Sequence, residues 1–516
     1  MKKTRRKSAY YDRFVSINQL KFEGFETPFE QDLDANNRWV VLSKLLPWDD
    51  ICSLYDKHVG RKQFGRQPLP PRVIIGALIL KHLNDLSDRE VIFQIQENVY
   101  FQYFLGFSAM VKEPVFSPSL FVEIRKRLSA DFINRLNELI ISMSSQFPLN
   151  KESSQEDDSQ TEKTERGDNP EVKNKGKVLF DATCGPQDIS YPTDLDLLNE
   201  ARKKSEQLIG LLYHRSMHIN KPRTDSKEAR RFYLQTAQKK RKTRKELRKA
   251  IGKQLTYLKN NIQSIHKLLD EYETNPLKKK DMKYLFVIQT VYEQQRQMYE
   301  QHTHSIEHRI VSIHQPHVRP IVRGKAQSNV EFGSKLHVSL IDGFCFLDEI
   351  SWDAFNEGSH MLSYVEQFRK RFGFYPKEIL ADNIYCTREN RKQVKLYGIH
   401  LKAKPLGRPS LSEAVAVHVS PGERNPIEGK FGQAKRAYGL NRIRARLKHT
   451  SETWIASIIL VLNLVNLAGL ALLWHILSMT TCKLSRLRLL VFNMICFNRL
   501  INSAQYEKSA NPFNIY

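Results

Sequence analysis

VLFDATCGPQDISYPTDLDLLNEAR, residues 178–202, is where the chain changes character. A short apolar run reads as a β-strand ending on Asp181, and a loop then leads into the start of a helix. Upstream, LNKESSQEDDSQTEKTERGDNPEVKNKGK (149–177) is highly charged, has few apolar residues and no aromatics. Such a composition cannot offset the entropy of ordering the chain, so it reads as a linker. Downstream, from Arg202 to about Pro320, the spacing is helical, and 229–273 reads as long amphipathic helices followed by the NPLKKKD turn.

Strand patterns then return. RPIVRGK (319–325), VEFGSKLHVSLID (330–342) and GFCFLDEISWDAF (343–355) are rich in β-branched and aromatic residues, and Asp342-Gly343 predicts a tight hairpin turn. HMLSYVEQFRKRFG (360–373) has helical spacing, FYPKEILADN (374–383) is a short strand reaching Asp382, ENRKQVKLYG (389–398) is a further helix and HLKAKP a further strand. This order predicts a mixed α/β fold.

Charge narrows the class of partner. The 516 residues hold 81 Lys and Arg against 56 Asp and Glu, a net charge of +25, which points to a polyanion and away from an ordinary metabolic enzyme. Residues 201–325 alone carry 29 Lys/Arg and 11 Asp/Glu, so most of the excess sits in the helical block and favours a phosphate-backbone surface over a merely solvated face. The six cysteines are at least 14 residues apart, so no CxxC pair or dense disulfide frame is formed, and a reducing cytoplasm is expected. The basic N-terminus is followed by no apolar segment of the secretory kind.

Residues 1 to about 145 read as helical, and SPSLFVEIRKRLS (117–129) fits either the recognition helix of a helix-turn-helix or a solvated helix packed on its neighbours. IASIILVLNLVNLAGLALLWHILSM (455–479) is long enough to span a bilayer, but Asn463, Asn466, His475 and the basic flanks favour a buried core helix.

Asp181 and Asp382 each close an apolar strand, the edge at which open α/β sheets place ligands. The best third carboxylate is Glu428 in GERNPIEGKFGQAKRAYGLNRIRARL (422–447), where Pro426 suits a helix's first turn. If the helical phase reaches back to Arg424, then Arg424, Glu428 and Lys435 share one face. Carboxylate oxygens suit a pair of Mg²⁺ or Mn²⁺ ions, which can drive in-line phosphodiester displacement, while the two cations hold phosphates. On pattern alone, surface carboxylates explain the same residues equally well.

Four blocks in order, DATCGPQDISYPTDLDLLNEAR, VRPIVRGKAQSNVEFGSKL, EILADNIYCTRENRK and ERNPIEGKFGQAKRAYGL, resemble the DDE transposases of bacterial insertion sequences. RVIIGALILKHLNDLSDREVIFQIQEN resembles their N-terminal helical domain, so the likeness covers roughly 40–475. It implies a ribonuclease H-like catalytic core in which Asp181, Asp382 and Glu428 are the catalytic and metal-binding carboxylates of a two-metal site. Arg424 and Lys435 fall on the arginine and lysine of the Tyr-x2-Arg-x3-Glu-x6-Lys signature. Pro421 stands at the signature tyrosine and Asn383 where relatives often have a basic residue.

The resemblance implies helical DNA-binding and assembly residues 1–148, the linker 149–177, a core of 178–202 and 319–479, a basic all-helical insertion 203–318 after the first core strand, and a tail 480–516 of no assigned role. It further implies phosphodiester hydrolysis at element ends, then strand transfer. The partners expected are double-stranded DNA of the terminal inverted repeats and of the target, and further copies of the chain in a dimer or larger synaptic complex in the bacterial cytoplasm. No membrane partner is expected, and without GxxxxGK[ST] no nucleotide cofactor. A silent DNA-binding regulator and a purely hydrolytic nuclease are the alternatives.

Two smaller features have simpler readings. QHTHSIEH could place His304 and His308 one helical turn apart at a spacing zinc uses, although a solvated or DNA-facing surface fits better. Trp352 is expected to be a core or sheet-face aromatic.

Overall fold

The computed structural model describes residues 33–60, 69–143, 174–322, 330–402 and 421–480, with side chains of the last stretch described over 422–469. The expected linker before residue 174, the tail after residue 480 and His475 therefore lie outside the described side chains.

Among the described residues six strands form one sheet: β1 (Lys177–Pro186), β2 (Arg319–Val322), β3 (Val330–Ile341), β4 (Phe344–Ser351), β5 (Glu378–Leu380) and β6 (His400–Lys402). Their order is β2-β3-β1-β5-β6, with β4 also paired to β3. β1 runs antiparallel to β3 and parallel to β5, and β5 runs parallel to β6. The hairpin turns where expected, because Asp342 (φ 49°) and Gly343 (φ 85°) both adopt the left-handed conformation that a two-residue turn requires.

Two expectations change. Asp181 does not end its strand: Ala182, Thr183 and Cys184 are buried and stay paired with β3, so the strand runs on to Pro186. The linker ends earlier than expected, since Lys175 N donates to Tyr375 O and Asn174 Nδ2 to Tyr397 O before β1 begins at Lys177.

Seven described helices precede the sheet: α1 (Arg38–Leu45), α2 (Trp48–Val59), α3 (Pro71–Leu83), α4 (Glu90–Glu97), α5 (Val99–Phe104), α6 (Leu120–Arg127) and α7 (Ala130–Ser142). They share a continuous apolar core with the sheet and with the last helix, α15 (Lys448–Thr480). α15 packs on α3, α6, α7 and β4, and 72% of its apolar window is buried within the protein, as a core helix requires. Asn463 is fully satisfied there: its amide donates to Asn137 Oδ1 (2.8 Å) and Cys345 O (2.7 Å), and its oxygen accepts from Cys345 N (2.7 Å). Within α6, Arg125 is 5% exposed and forked onto Asp88, so this part of the candidate recognition helix packs inward.

After β1 the chain leaves the sheet through α8 (Asp194–Leu212), α9 (Ser226–Ala237), α10 (Arg244–Asp270) and α11 (Lys279–Glu300). The buried positions of α10 (Ala250, Gln254, Leu255, Leu258, Asn261, Ile265, Leu268) share one largely apolar face, which packs on α8 and α11. The group has a separate apolar core that includes Leu197 and Leu198. The insertion's packing therefore starts with α8 at Asp194, ahead of the expected residue 203. α10 opens with Thr243 and Glu246 in a reciprocal cap.

His304 and His308 are not on a helix, because α11 ends at Glu300 and His308 has φ 50° in the turn that follows. His308 Nδ1 lies 3.2 Å from Asp353 Oδ1. Trp352 is 6% exposed against Val311 and Val318, with Nε1 donating to Glu452, so it is a core aromatic.

Candidate active site

Parallel strands place the two aspartates beside one another. β1 and β5 pair from Lys177↔Glu378 to Leu179↔Leu380, and β5 then stops. Two residues further on, that register brings Asp181 and Asp382 to the same level, in the notch where β5 ends and β1 continues. The residues just before them, Phe180 and Ala381, are buried and seat the two positions on the core.

Asp382 caps a short 3-10 turn (Asn383–Tyr385), its Oδ1 accepting from Asn383 N at 2.7 Å. That turn is tied to α12 (Glu357–Phe372), which crosses it closely. A Cβ on Gly358 would lie 2.2 Å from the Ile384 carbonyl oxygen, so only glycine fits the crossing. Asn390, in α13 (Arg388–Leu396), locks the junction by donating to both Gly358 O (2.7 Å) and Tyr385 O (2.8 Å).

The third element is α14 (Pro421–Ala437), which packs on β1 and α15. It starts before Pro426, so the helical phase does reach Arg424, and Pro426 lies inside the helix and not at its first position. Arg424 Nη1 is 3.2 Å from Asp382 Oδ1. Glu428 is exposed one turn on. Lys435, two further turns along, is 3.7 Å from Glu331 on β3, away from the Arg424–Asp382 pair.

Electrostatics bind the cluster together. Burial pushes the Asp181 carboxyl up to about 6, opposed by the hydrogen bond from Ala182 N and the charge of Arg424, and reinforced by the negative charges of Glu357 and Glu428. The structure thus gathers Asp181, Asp382, Glu428 and Arg424, and leaves Lys435 on the β3 side of the same helix. Among the described residues no group of three or more His, Cys, Asp or Glu is placed to hold a metal ion.

Glu357 and Tyr385 are the residues that the sequence did not single out. Glu357 opens α12, 2.8 Å from Lys335, and its charge acts on Asp181. Tyr385 is fully buried beneath them, and burial, then the charges of Glu357 and Asp181, push its hydroxyl far above its ordinary value. An acidic residue after the N-cap Asn356 is what any helix start would carry. Only the crossing of α12 over the turn after β5 reveals its neighbours.

Comparison with known proteins adds three findings. Residues 27–127 match a family described as Transposase domain (DUF772), and residues 379–465 match one described as Transposase DDE domain. The second span contains Asp382, Arg424, Glu428 and Lys435 but begins after Asp181. A Rhizobium meliloti protein described as "Uncharacterized protein ORF8 in nfe locus" is 27% identical over 179 residues, 34% of this chain and 75% of that protein. No solved structure matches.

Proposed function

The chain is an insertion-sequence transposase of the DDE type, and from that premise we propose that Asp181, Asp382 and Glu428 are its catalytic carboxylates, in a ribonuclease H-like core. The reaction is phosphodiester hydrolysis at each element end, followed by attack of the freed 3′ hydroxyl on target DNA. What carries this reading is the notch at the end of β5, where the β1–β5 register sets Asp181 level with Asp382 while α14 brings Arg424 and Glu428 to them.

The donor chemistry suits hard divalent ions, since Asp181, Asp382 and Glu428 offer only oxygen. Asp181, Asp382 and Glu428 would hold two Mg²⁺ or Mn²⁺ ions, which would supply activation of the attacking oxygen and neutralisation of the leaving one. Arg424, paired to Asp382, presents its remaining guanidinium N–H groups to a phosphate at the same point. Lys435, on the same helix, extends this positive edge along the DNA backbone.

The helices of 1–148 and the basic insertion 203–318 grip the terminal repeats, mainly through charge, with base contacts adding specificity. Among the described residues, Lys239–Lys242 between α9 and α10 is an exposed, wholly basic run of this kind. Two copies assemble so that both ends are cut together, in the cytoplasm where the DNA lies.

The test is a Mg²⁺-dependent cleavage and strand-transfer assay on DNA carrying the ends of the source locus. Asp382→Ala and Glu428→Ala are expected to lose both activities and keep DNA binding. Cleavage surviving either change overturns the assignment, cleavage without joining makes the chain a nuclease, and binding without cleavage by the intact protein makes it a regulator.

A further inference from the structure

The segment after α14 has an arrangement that the carboxylate site does not use. Arg442 to Arg446 runs along the end of β1: Ile443 N donates to Pro186 O (2.9 Å) and Asp188 N to Ile443 O (3.0 Å). Ile443 and Ala445 are buried, so Arg442, Arg444 and Arg446 alternate with them and face outward. Three guanidinia thus form a single row that continues the strand bearing Asp181.

The row is anchored without being consumed. Arg442 uses Nε on Asp188 Oδ1 (2.9 Å) and stays 65% exposed. Arg444 places one Nη 3.5 Å from Asp85, in the turn after α3, and stays 40% exposed. Arg446 is exposed at a recess that it lines together with Tyr191, His314 and the carboxylates of Asp188, Asp196 and Glu200. Each guanidinium has five N–H donors in a planar fork, so these pairs orient the side chains and leave donors for a second anion. Tyr191 itself is 74% exposed with its ring edge-on to Phe332.

We infer that Arg442, Arg444 and Arg446 form a phosphate-binding tract that holds the DNA segment leading into the carboxylate site. Two residues of extended chain advance about 6.7 Å, so the three side chains are laid out over about 13 Å. That is the axial length of about four nucleotides of one strand. The five residues from Asp181 to Pro186 place the start of the tract about 17 Å from the carboxylate. A strand leaving the site in the direction of β1 meets it next. The inference rests on the proposed function for the direction of the DNA, and its test does not.

DNA binding is measured in chelator with Asp382→Ala protein, using a fluorescent duplex that carries one end of the source locus, over a range of salt concentrations. Replacing Arg442, Arg444 and Arg446 by Gln is expected to flatten the slope of log K against log salt by about 0.9 per arginine. Arg446→Gln alone, which touches neither Asp188 nor Asp85, gives one such step and guards against loss of folding. A control removes equal charge at the opposite, amino end of the parallel strands, with Lys370, Lys377 and Lys395 changed to Gln. An unchanged slope in the arginine variants, or an equal fall in the lysine control, overturns the tract. Because no cleavage is read, these outcomes stand whether or not Asp181, Asp382 and Glu428 prove catalytic.

Discussion

Arg424 and Asp382, 42 positions apart in sequence, meet at 3.2 Å across the notch where β5 ends. The guanidinium partly neutralises a group of carboxylates, and it does so on the residue that is also fixed to the following turn. Removing it has two separable consequences. Arg424→Ala is expected to lower cleavage about 100-fold or more through lost stabilisation of phosphate charge. Mn²⁺ binding, followed by calorimetry, is expected to hold or tighten because a repelling cation is gone. Weakened Mn²⁺ binding with an unchanged rate would instead make Arg424 a support for the carboxylates.

Asp181 gives a stability signature of its own. Its folded carboxyl titrates at about 6 against 3.8 for the ordinary group, so between those values the folded chain binds more protons than the unfolded one. Stability contributed by this residue is therefore full below about pH 4 and is lost as pH rises through about 6, a change of about 3 kcal/mol. Asp181→Asn removes the penalty. Thermal melts of the metal-free protein are expected to show the variant gaining on the parent between those pH values, and an identical pH dependence in both would refute the burial argument.

Gly358→Ala tests how the second aspartate is held. A methyl group 2.2 Å from the Ile384 carbonyl must push α12 off the turn that Asp382 caps. We expect a loss of about 1–3 kcal/mol in urea unfolding and a larger loss in cleavage than in DNA binding. Equal losses in the two functions would mean that the crossing only supports the fold.

On β4, the Asp348 side chain is completely buried and bonded to His337 and Ser339, with Arg371 Nη1 at 2.6 Å. Burial works against its charge, yet Arg371 and the His337 and Ser339 hydrogen bonds hold the carboxyl below its ordinary value. Its stabilisation is present above that ordinary value and is lost as pH falls through the lowered one. Asp348→Asn leaves Arg371 with Glu138 (2.7 Å) as its remaining acidic partner, and chemical unfolding is expected to register a loss of about 3 kcal/mol.

Much of the sheet is legible because its signals are local. Asp342-Gly343 announces the hairpin through left-handed conformations that few residue pairs accept, and the strand before Asp382 is bounded by its own polar flanks. Asp181 stands out in the sequence but its place within the strand does not, since Ala182 to Cys184 look no different from loop residues until β3 covers them. The insertion starts nine residues ahead of its expected position because α8 is amphipathic on its own, and only packing tells that Leu197 and Leu198 belong with α10. Arg424, Glu428 and Lys435 can be placed on one helix face from spacing alone. That Arg424 finds Asp382 while Lys435 finds Glu331 depends on how α14 crosses the sheet, which no local pattern records.

The two helical parts of the chain stand in different relations to the sheet. The insertion closes its own apolar interior and could be lengthened, trimmed or exchanged while the strands keep their pairing. The helices before β1 have no such independence, since their apolar faces are completed by α15 and β4. Evolution can therefore vary the first as an accessory, whereas the second must change in step with the sheet or not at all.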